Sequence, residues 1–459
     1  MNEGIQVYRK LSPAEREARL LRCGVEAYFI PSGRQKNTYL KVQETGIHRP
    51  QYRVYVFNMA VVNIKPHYAG RNMRIDSMTV PEGLEELAGG NSGDTGRAEA
   101  GLIGCTAGNR HAAGITQRLP SAEHSRSARH LQTAAVRALY ALGLDSGEVL
   151  LQAMGSRRYV VEEIVPLAER PGKPLPEPYR TASAALAESL SREQPGRPGL
   201  LMGMDPEFLI LRESSGRVVP ASRYLPADGA AGCDAGPPGT RGAFPVAELR
   251  PAPRPTPRAL LAQLMSAARA ADRLIADRSL CWRAGGMPVA GWALGGHLHF
   301  SGVTLTAPLL RALDSYLALP LLLLEDPRAA SRRPRYGVLG DFRLQPHGGF
   351  EYRTLPSFLV SPVIAKGAVF LAHLIVSHYE DLPLRPLDRE ELHAAYYRGD
   401  KTPLRAALPP LAEQLRALPG YDQAARYIEP LFRCIAAEQT WNESRDIRGL
   451  WCSRDEAEF

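Results

Sequence analysis

Three short apolar segments of this chain each carry two polar side chains two residues apart, and that spacing limits what the segments can become. They are Gly203-Met-Asp-Pro-Glu-Phe-Leu-Ile-Leu211, Gly295-Gly-His-Leu-His-Phe-Ser301 and Gly348-Gly-Phe-Glu-Tyr-Arg-Thr354. On a β-strand successive side chains point to opposite faces, so residues i and i+2 share one. Asp205 and Glu207 would then share a face, with Met204 and Phe208 opposite. His297 and His299 likewise oppose Leu298 and Phe300, and Glu351 and Arg353 oppose Phe350 and Tyr352. The pattern predicts strands with one face in a core and the other carrying chemistry.

Each pair alone has a plainer explanation. Two adjacent carboxylates repel and are costly to bury, which favours a cation upon them. Pro206 equally permits a solvated edge strand. A lone strand histidine is usually a satisfied core residue, whereas two at i, i+2 after Gly-Gly more often bind a metal or a phosphate. A Glu–Arg pair suits any cross-strand ion pair. The combination carries the weight. Phe244-Pro-Val-Ala-Glu-Leu-Arg-Pro251 adds Glu248, and Arg335 and Arg343 precede the third strand. Such acids, imidazoles and guanidiniums can together hold Mg²⁺ through oxygen ligands and neutralise a triphosphate.

The rest of the chain organises around these segments. Its 459 residues suggest two or three domains. Ser12-Pro13 opens a short helix ending near Gly24, and Tyr52 to Ile64 reads as a strand or hairpin. Residues 85–120 read as loop, Ser121–Leu142 as a helix closed by Gly143, and Glu148–Met154 and Arg158–Val165 as strands. Prolines crowd Pro166–Pro178 and recur at Gln194–Pro198, flanking a helix at Thr181–Ser191. The expected division is an accessory α/β domain over 1–168, a Pro-rich linker over 169–198, a catalytic domain over 199–440 and a charged tail or lid over 441–459. Ala227–Gly242, with five glycines, is expected to be a mobile loop, either an inert insertion or a lid carrying Asp228, Asp234 or Arg241 towards a substrate. Thr256-Pro257 and Thr306 start long helices, and helices at 361–378, 388–397, 403–417 and 422–437 close the chain.

The polar segments resemble, in the same chain order, those of the glutamine synthetase and glutamate–cysteine ligase superfamily. Asp205-Pro-Glu207-Phe is similar to its E-x-E-F strand, with Asp in place of the first Glu. Gly295-Gly-His297-Leu-His299 resembles G-x-x-H-x-H, and Glu351-Tyr-Arg353-Thr-Leu-Pro-Ser357 resembles the E-x-R segment. The match is nearest to the carboxylate–amine ligases (amidoligases) of bacteria and phages, and covers roughly residues 199–380. The resemblance implies an α+β fold, a curved antiparallel sheet backed by helices. It implies ATP and Mg²⁺ or Mn²⁺ as cofactors and amide formation through an acyl phosphate. Glu207, Glu248 and Glu351 would bind one metal ion, and Asp205, His297 and Glu248 a second. His299, Arg343 and Arg353 would act on phosphate or substrate carboxylate, and His299, Arg335 and Arg343 would bind the nucleotide. Arg53–Val62, Ala138–Asp145 and Glu162–Pro166 are similar to pieces of ATP-grasp lobes without the usual metal-binding acid.

Three rivals stand beside this reading: a Zn²⁺ or Fe²⁺ hydrolase or oxygenase built on the H-x-H strand, a guanidino-kinase-like phosphotransferase, and a non-catalytic binding module. The net charge of +8 is spread over scattered arginines, with no basic run, which points to small anionic ligands and not to nucleic acid. Leu317–Leu324 is broken by Pro320 and too short to span a bilayer, so no membrane partner is expected. Six unpatterned cysteines and a start without an apolar core point to free thiols in the cytoplasm. The expected partners are small-molecule or peptide carboxylates and amines, and a homo-oligomer is compatible with the sequence.

Overall fold

A computed structural model describes residues 2, 4–29, 49–67, 122–155, 158–168, 174–237, 239–240, 242–346 and 348–452. The loop expected at 85–120, together with Arg241, Cys105 and residues 453–459, lies outside them. The chain divides into two compact units, one of residues 1–2, 25–139 and 144–184, the other of residues 3–24, 140–143 and 185–459. Residues 3–24, expected in the N-terminal domain, thus cluster with the larger unit.

The smaller unit is a five-stranded sheet. Its strands are β1 (Glu26–Ala27), β2 (Gln51–Phe57), β3 (Ala60–His67), β4 (Gly147–Ala153) and β5 (Tyr159–Pro166), in the order β1-β5-β4-β2-β3. The Tyr52–Ile64 stretch is a hairpin, as its β-branched and aromatic run suggested. Val54, Val56, Val149, Leu151 and Val160 are buried, which leaves alternate residues such as Arg53 and Glu148 free to pair on the other face.

The larger unit is α+β and antiparallel. Strands β6 (Leu201–Met204), β7 (Glu207–Arg212), β8 (Arg217–Val219), β9 (Ala231–Asp234), β10 (Val246–Leu249), β11 (Leu280–Arg283), β12 (Leu298–Ser301), β13 (Phe342–Leu344) and β14 (Phe350–Tyr352) form two sheets. One runs β13-β14-β12-β6; the other runs β11-β7-β10-β9, with β8 on β7. Asp205 and Glu207 therefore do not sit on one strand, contrary to the period-two reading. Asp205-Pro206 is where the chain leaves the first sheet for the second. Proline has no amide to give a ladder, so the break falls there at little cost. The backbone stays attached across the break: Asp205 N–H donates to the His297 carbonyl at 3.3 Å and Glu207 N–H to the Gly295 carbonyl at 3.0 Å.

Helices back these sheets, and several begin with one device. Thr256, Thr306 and Ser361 each accept a backbone N–H of the first turn, with a proline at the first or second helical position. Ser12 forms a full capping box with Glu15 before Pro13. The helix from Ala307 runs to Leu324 through a π turn at Asp314–Ala318, so Pro320 does not end it. Two helices, Ala307–Leu324 and Pro362–Asp381, are long and apolar enough to cross a membrane, which the shorter Leu317–Leu324 stretch did not suggest. Residues in their most apolar windows are 94% and 67% buried within the protein, as core helices are.

Two further expectations change. Ala227–Gly242 is not an unstructured loop, because Ala231–Asp234 forms β9 with Ala231 and Cys233 buried. Gly232 leaves room for the Arg250 guanidinium: a Cβ there would meet Arg250 Nη1 at 2.2 Å. Residues 441–452 are likewise no free tail, since Trp441, Glu443, Ile447, Arg448 and Trp451 are all buried.

Candidate active site

One row of side chains crosses the first sheet. Gly203 on β6, His299 on β12, Glu351 on β14 and Arg343 on β13 are successive register partners. Glu351 is fully buried at 0% exposure. Its Oε2 accepts from Arg343 Nε at 2.6 Å and Gln345 Nε2 at 3.0 Å. Its Oε1 faces His297 Nδ1 at 3.3 Å and Arg353 Nε at 3.2 Å, yet no hydrogen bond forms there. Asp205 closes the group, with Oδ1 3.1 Å from His297 Nδ1 and Oδ2 3.1 Å from His299 Nε2.

A second row crosses the other sheet: Gly232 on β9, Glu248 on β10 and Glu207 on β7. Glu248 is buried and pairs with Arg250, which also donates to the Ala227 carbonyl at 2.7 Å. Glu207 Oε2 accepts the Gly295 amide at 2.7 Å. Asp234, at the end of β9, joins them.

The donor set fits a divalent cation. Among the described residues, ligand atoms of Asp205, His299 and Glu351 lie within 4.8 Å of one another, and so do those of Glu207, Asp234 and Glu248. Asp205 Oδ1, Glu351 Oε1 and His299 Nε2 are buried with no hydrogen-bond partner, the condition an ion would relieve. Carboxylate oxygens in this number suit Mg²⁺ or Mn²⁺. The grouping differs from the one the resemblance implies: Glu351 gathers with Asp205 and His299, and His297 turns its Nδ1 to both carboxylates.

Electrostatics follow the burial. Burial raises Glu207 above the usual carboxylate range, despite His297 and the Gly295 amide. Burial and the Asp205 charge raise Glu248, which Arg250 offsets only in part. Burial also works to raise Asp205, but His297 and His299 outweigh it and hold the group well below the ordinary range. Burial would lower His297, yet Asp205 and Glu207 raise it. The site thus stores unfavourable negative charge that cations or protons relieve.

Arg343 and Arg353 both lie against Glu351. Arg335 instead lines a cavity of about 680 Å³ with Gly236, Thr240, Phe244 and Tyr336, beside Ala235, the neighbour of Asp234. Arg250 went unassigned in the sequence, and Asp234 was expected only as a residue of a possible lid, not beside Glu207 and Glu248. Asp234 ends Ala-Gly-Cys-Asp, a strand without a β-branched or aromatic residue to announce it.

Residues 202–452 match the family model of phage phiEco32-like COOH.NH2 ligases, type 2. The chain belongs to this carboxylate–amine ligase family. The matched span contains both rows of site residues and the C-terminal segment. Among curated proteins, none matches the chain. Among solved structures, this family member is similar to a bifunctional glutathione synthetase from Pasteurella multocida, at 12% identity and TM-score 0.33, over 56% of this chain and 50% of that one. It is also similar to a novel glutamine synthase homolog, at 17% identity and TM-score 0.22, over 60% and 80% of the two chains. The chain thus spans half the length of that glutathione synthetase.

Proposed function

We propose that this family member is a cytoplasmic, ATP- and Mg²⁺-dependent ligase that joins a carboxylate to an amine through an acyl phosphate. The observation that carries the reading is the trio of buried atoms without a hydrogen bond on Asp205, His299 and Glu351, beside a second acidic trio. Asp205, His299 and Glu351 would hold one ion, and Glu207, Asp234 and Glu248 another. Bound there, Mg²⁺ supplies positive charge to polyphosphate oxygens.

The protein's own groups do the rest. A substrate carboxylate oxygen attacks the γ-phosphorus of ATP, and the bond to the bridging oxygen breaks to release ADP. The amine nitrogen then attacks the acyl carbon, phosphate departs with the bonding pair, and the nitrogen gives up a proton. Planar guanidiniums match phosphoryl and carboxylate oxygens, so Arg343 and Arg353 would bind the transferring group or orient the acid, beside His299.

A screen for ADP release over amino acids, short peptides and polyamines tests this. ADP release that needs both an acid and an amine, with a product mass equal to their sum less water, supports ligation. A stable phosphorylated product formed without amine would make the protein a phosphotransferase instead. Turnover undiminished in excess EDTA would overturn the metal assignment.

A further inference from the structure

Glu443 lies in the charged C-terminal segment, yet it is 1% exposed. Its carboxylate receives three donors: the Gly286 amide to Oε1 at 2.5 Å, the Trp441 indole N–H to Oε1 at 3.0 Å, and the Met287 amide to Oε2 at 2.7 Å. A carboxylate that accepts two consecutive amides fixes both peptide planes. The seat is close: Gly285 has φ 118°, and a Cβ there would meet Glu443 Cδ at 2.4 Å.

From this turn two short paths reach Glu207. Along the first, the Leu294 amide donates to the Gly286 carbonyl at 3.1 Å, and the next residue, Gly295, holds Glu207 Oε2 with its amide and accepts the Glu207 amide. Along the second, the Ser357 amide donates to the Gly285 carbonyl at 3.3 Å, while Ser357 Oγ–H donates to the Glu207 carbonyl at 2.6 Å. Both the backbone and the carboxylate of Glu207 are therefore set by a turn whose orientation Glu443 fixes.

We propose that Glu443 is a positioning residue that orients Glu207 for metal binding through the Gly285–Gly295 turn. The proposal rests on reading Glu207 as a metal ligand. Three converging N–H donors need an acceptor-only group. Glutamine of the same shape would turn its own N–H groups towards one of them and release one end of the turn.

The test is Mn²⁺ affinity of the metal-free, full-length protein by titration calorimetry, with Tm measured alongside. It compares the parent with Glu443→Gln, Trp441→Phe, Glu207→Gln and Ile428→Ala. Ile428 is fully buried in the helix Tyr421–Ala436 and serves as the destabilised control. Glu443→Gln is expected to weaken Mn²⁺ binding by roughly tenfold, the scale on which partners behind metal ligands act. Trp441→Phe should weaken it less, and Ile428→Ala should retain parental affinity despite its lower Tm. Parental affinity in Glu207→Gln would overturn the ligand assignment itself. If Glu207→Gln is impaired while Glu443→Gln and Trp441→Phe bind like the parent, or Ile428→Ala loses as much as they do, the positioning role is wrong. Should Glu443→Gln fold poorly, Trp441→Phe against the same control decides.

Discussion

Glu207 and Glu248 are direct register partners on β7 and β10. Like charges placed opposite each other in a ladder are destabilising, and burial raises both groups here. Glu207→Gln should therefore raise the Tm of the metal-free protein, by roughly 2–4 °C if the relief is about 1 kcal/mol, while abolishing turnover. Thermal scans with and without Mg²⁺ check this. Mg²⁺ should stabilise the parent more than the variant, which keeps only the Asp205, His299 and Glu351 group intact, and a variant less stable than the parent without metal would contradict the repulsion.

Arg353→Lys should lose most activity with the fold intact, because an ammonium cannot replace a planar two-pronged donor. Steady-state kinetics separate the roles: a fall in kcat/KM of at least about tenfold is expected for lost charge-assisted bonds. Unchanged kcat and KM would leave Arg353 as only a structural partner of Glu351.

Asp314 anchors the back of β14. It accepts from Tyr352 Oη at 2.6 Å, Tyr140 Oη at 2.7 Å and the Gly340 amide at 3.1 Å. Burial pushes Asp314 up to about 6, against those hydrogen bonds. A carboxyl raised in the folded state favours the protonated form, so its contribution is greatest below about pH 4 and falls as pH rises to about 6. The full loss is about 3 kcal/mol. Asp314→Asn cannot titrate, so it should gain stability relative to the parent between pH 4 and 6 and hold that gain above. Urea unfolding at pH 4.5 and 7.5 measures the difference, and a difference independent of pH would contradict it.

Arg448 is buried and donates to Asp272 Oδ1 at 2.7 Å, to the Asp277 carbonyl at 2.8 Å and to the Leu280 carbonyl at 3.3 Å. Arg448→Ala strands these acceptors and should cost about 3 kcal/mol. Chemical denaturation checks it, and a change within error would mean that the segment is the solvated tail its charge suggests.

That segment also marks where sequence reasoning stops. Glu443 and Arg448 look solvated because charge in a terminal run usually is, and only their distant partners at Gly286 and Asp272 bury them. The hydroxyl-plus-proline helix starts were legible because a cap is local. The pairs His297/His299 and Glu351/Arg353 were legible because alternation is local too. The change of sheet at Asp205-Pro206 was not, since the choice between two neighbouring sheets depends on partners about ninety residues away in sequence. The helix from Thr306 to Leu324 was legible through Pro320, but the π turn at Asp314–Ala318 within it was not.

On the proposed function, two acidic groups on adjoining sheets assemble a metal-dependent ATP site. Calorimetric titration with a non-hydrolysable ATP analogue, with Mg²⁺ and in EDTA, tests it without knowledge of either substrate. Mg²⁺ should tighten binding to the parent by more than about tenfold and do little for Glu207→Gln or Glu351→Gln. Equal affinity in EDTA, or no binding by the parent even with Mg²⁺, would contradict the account.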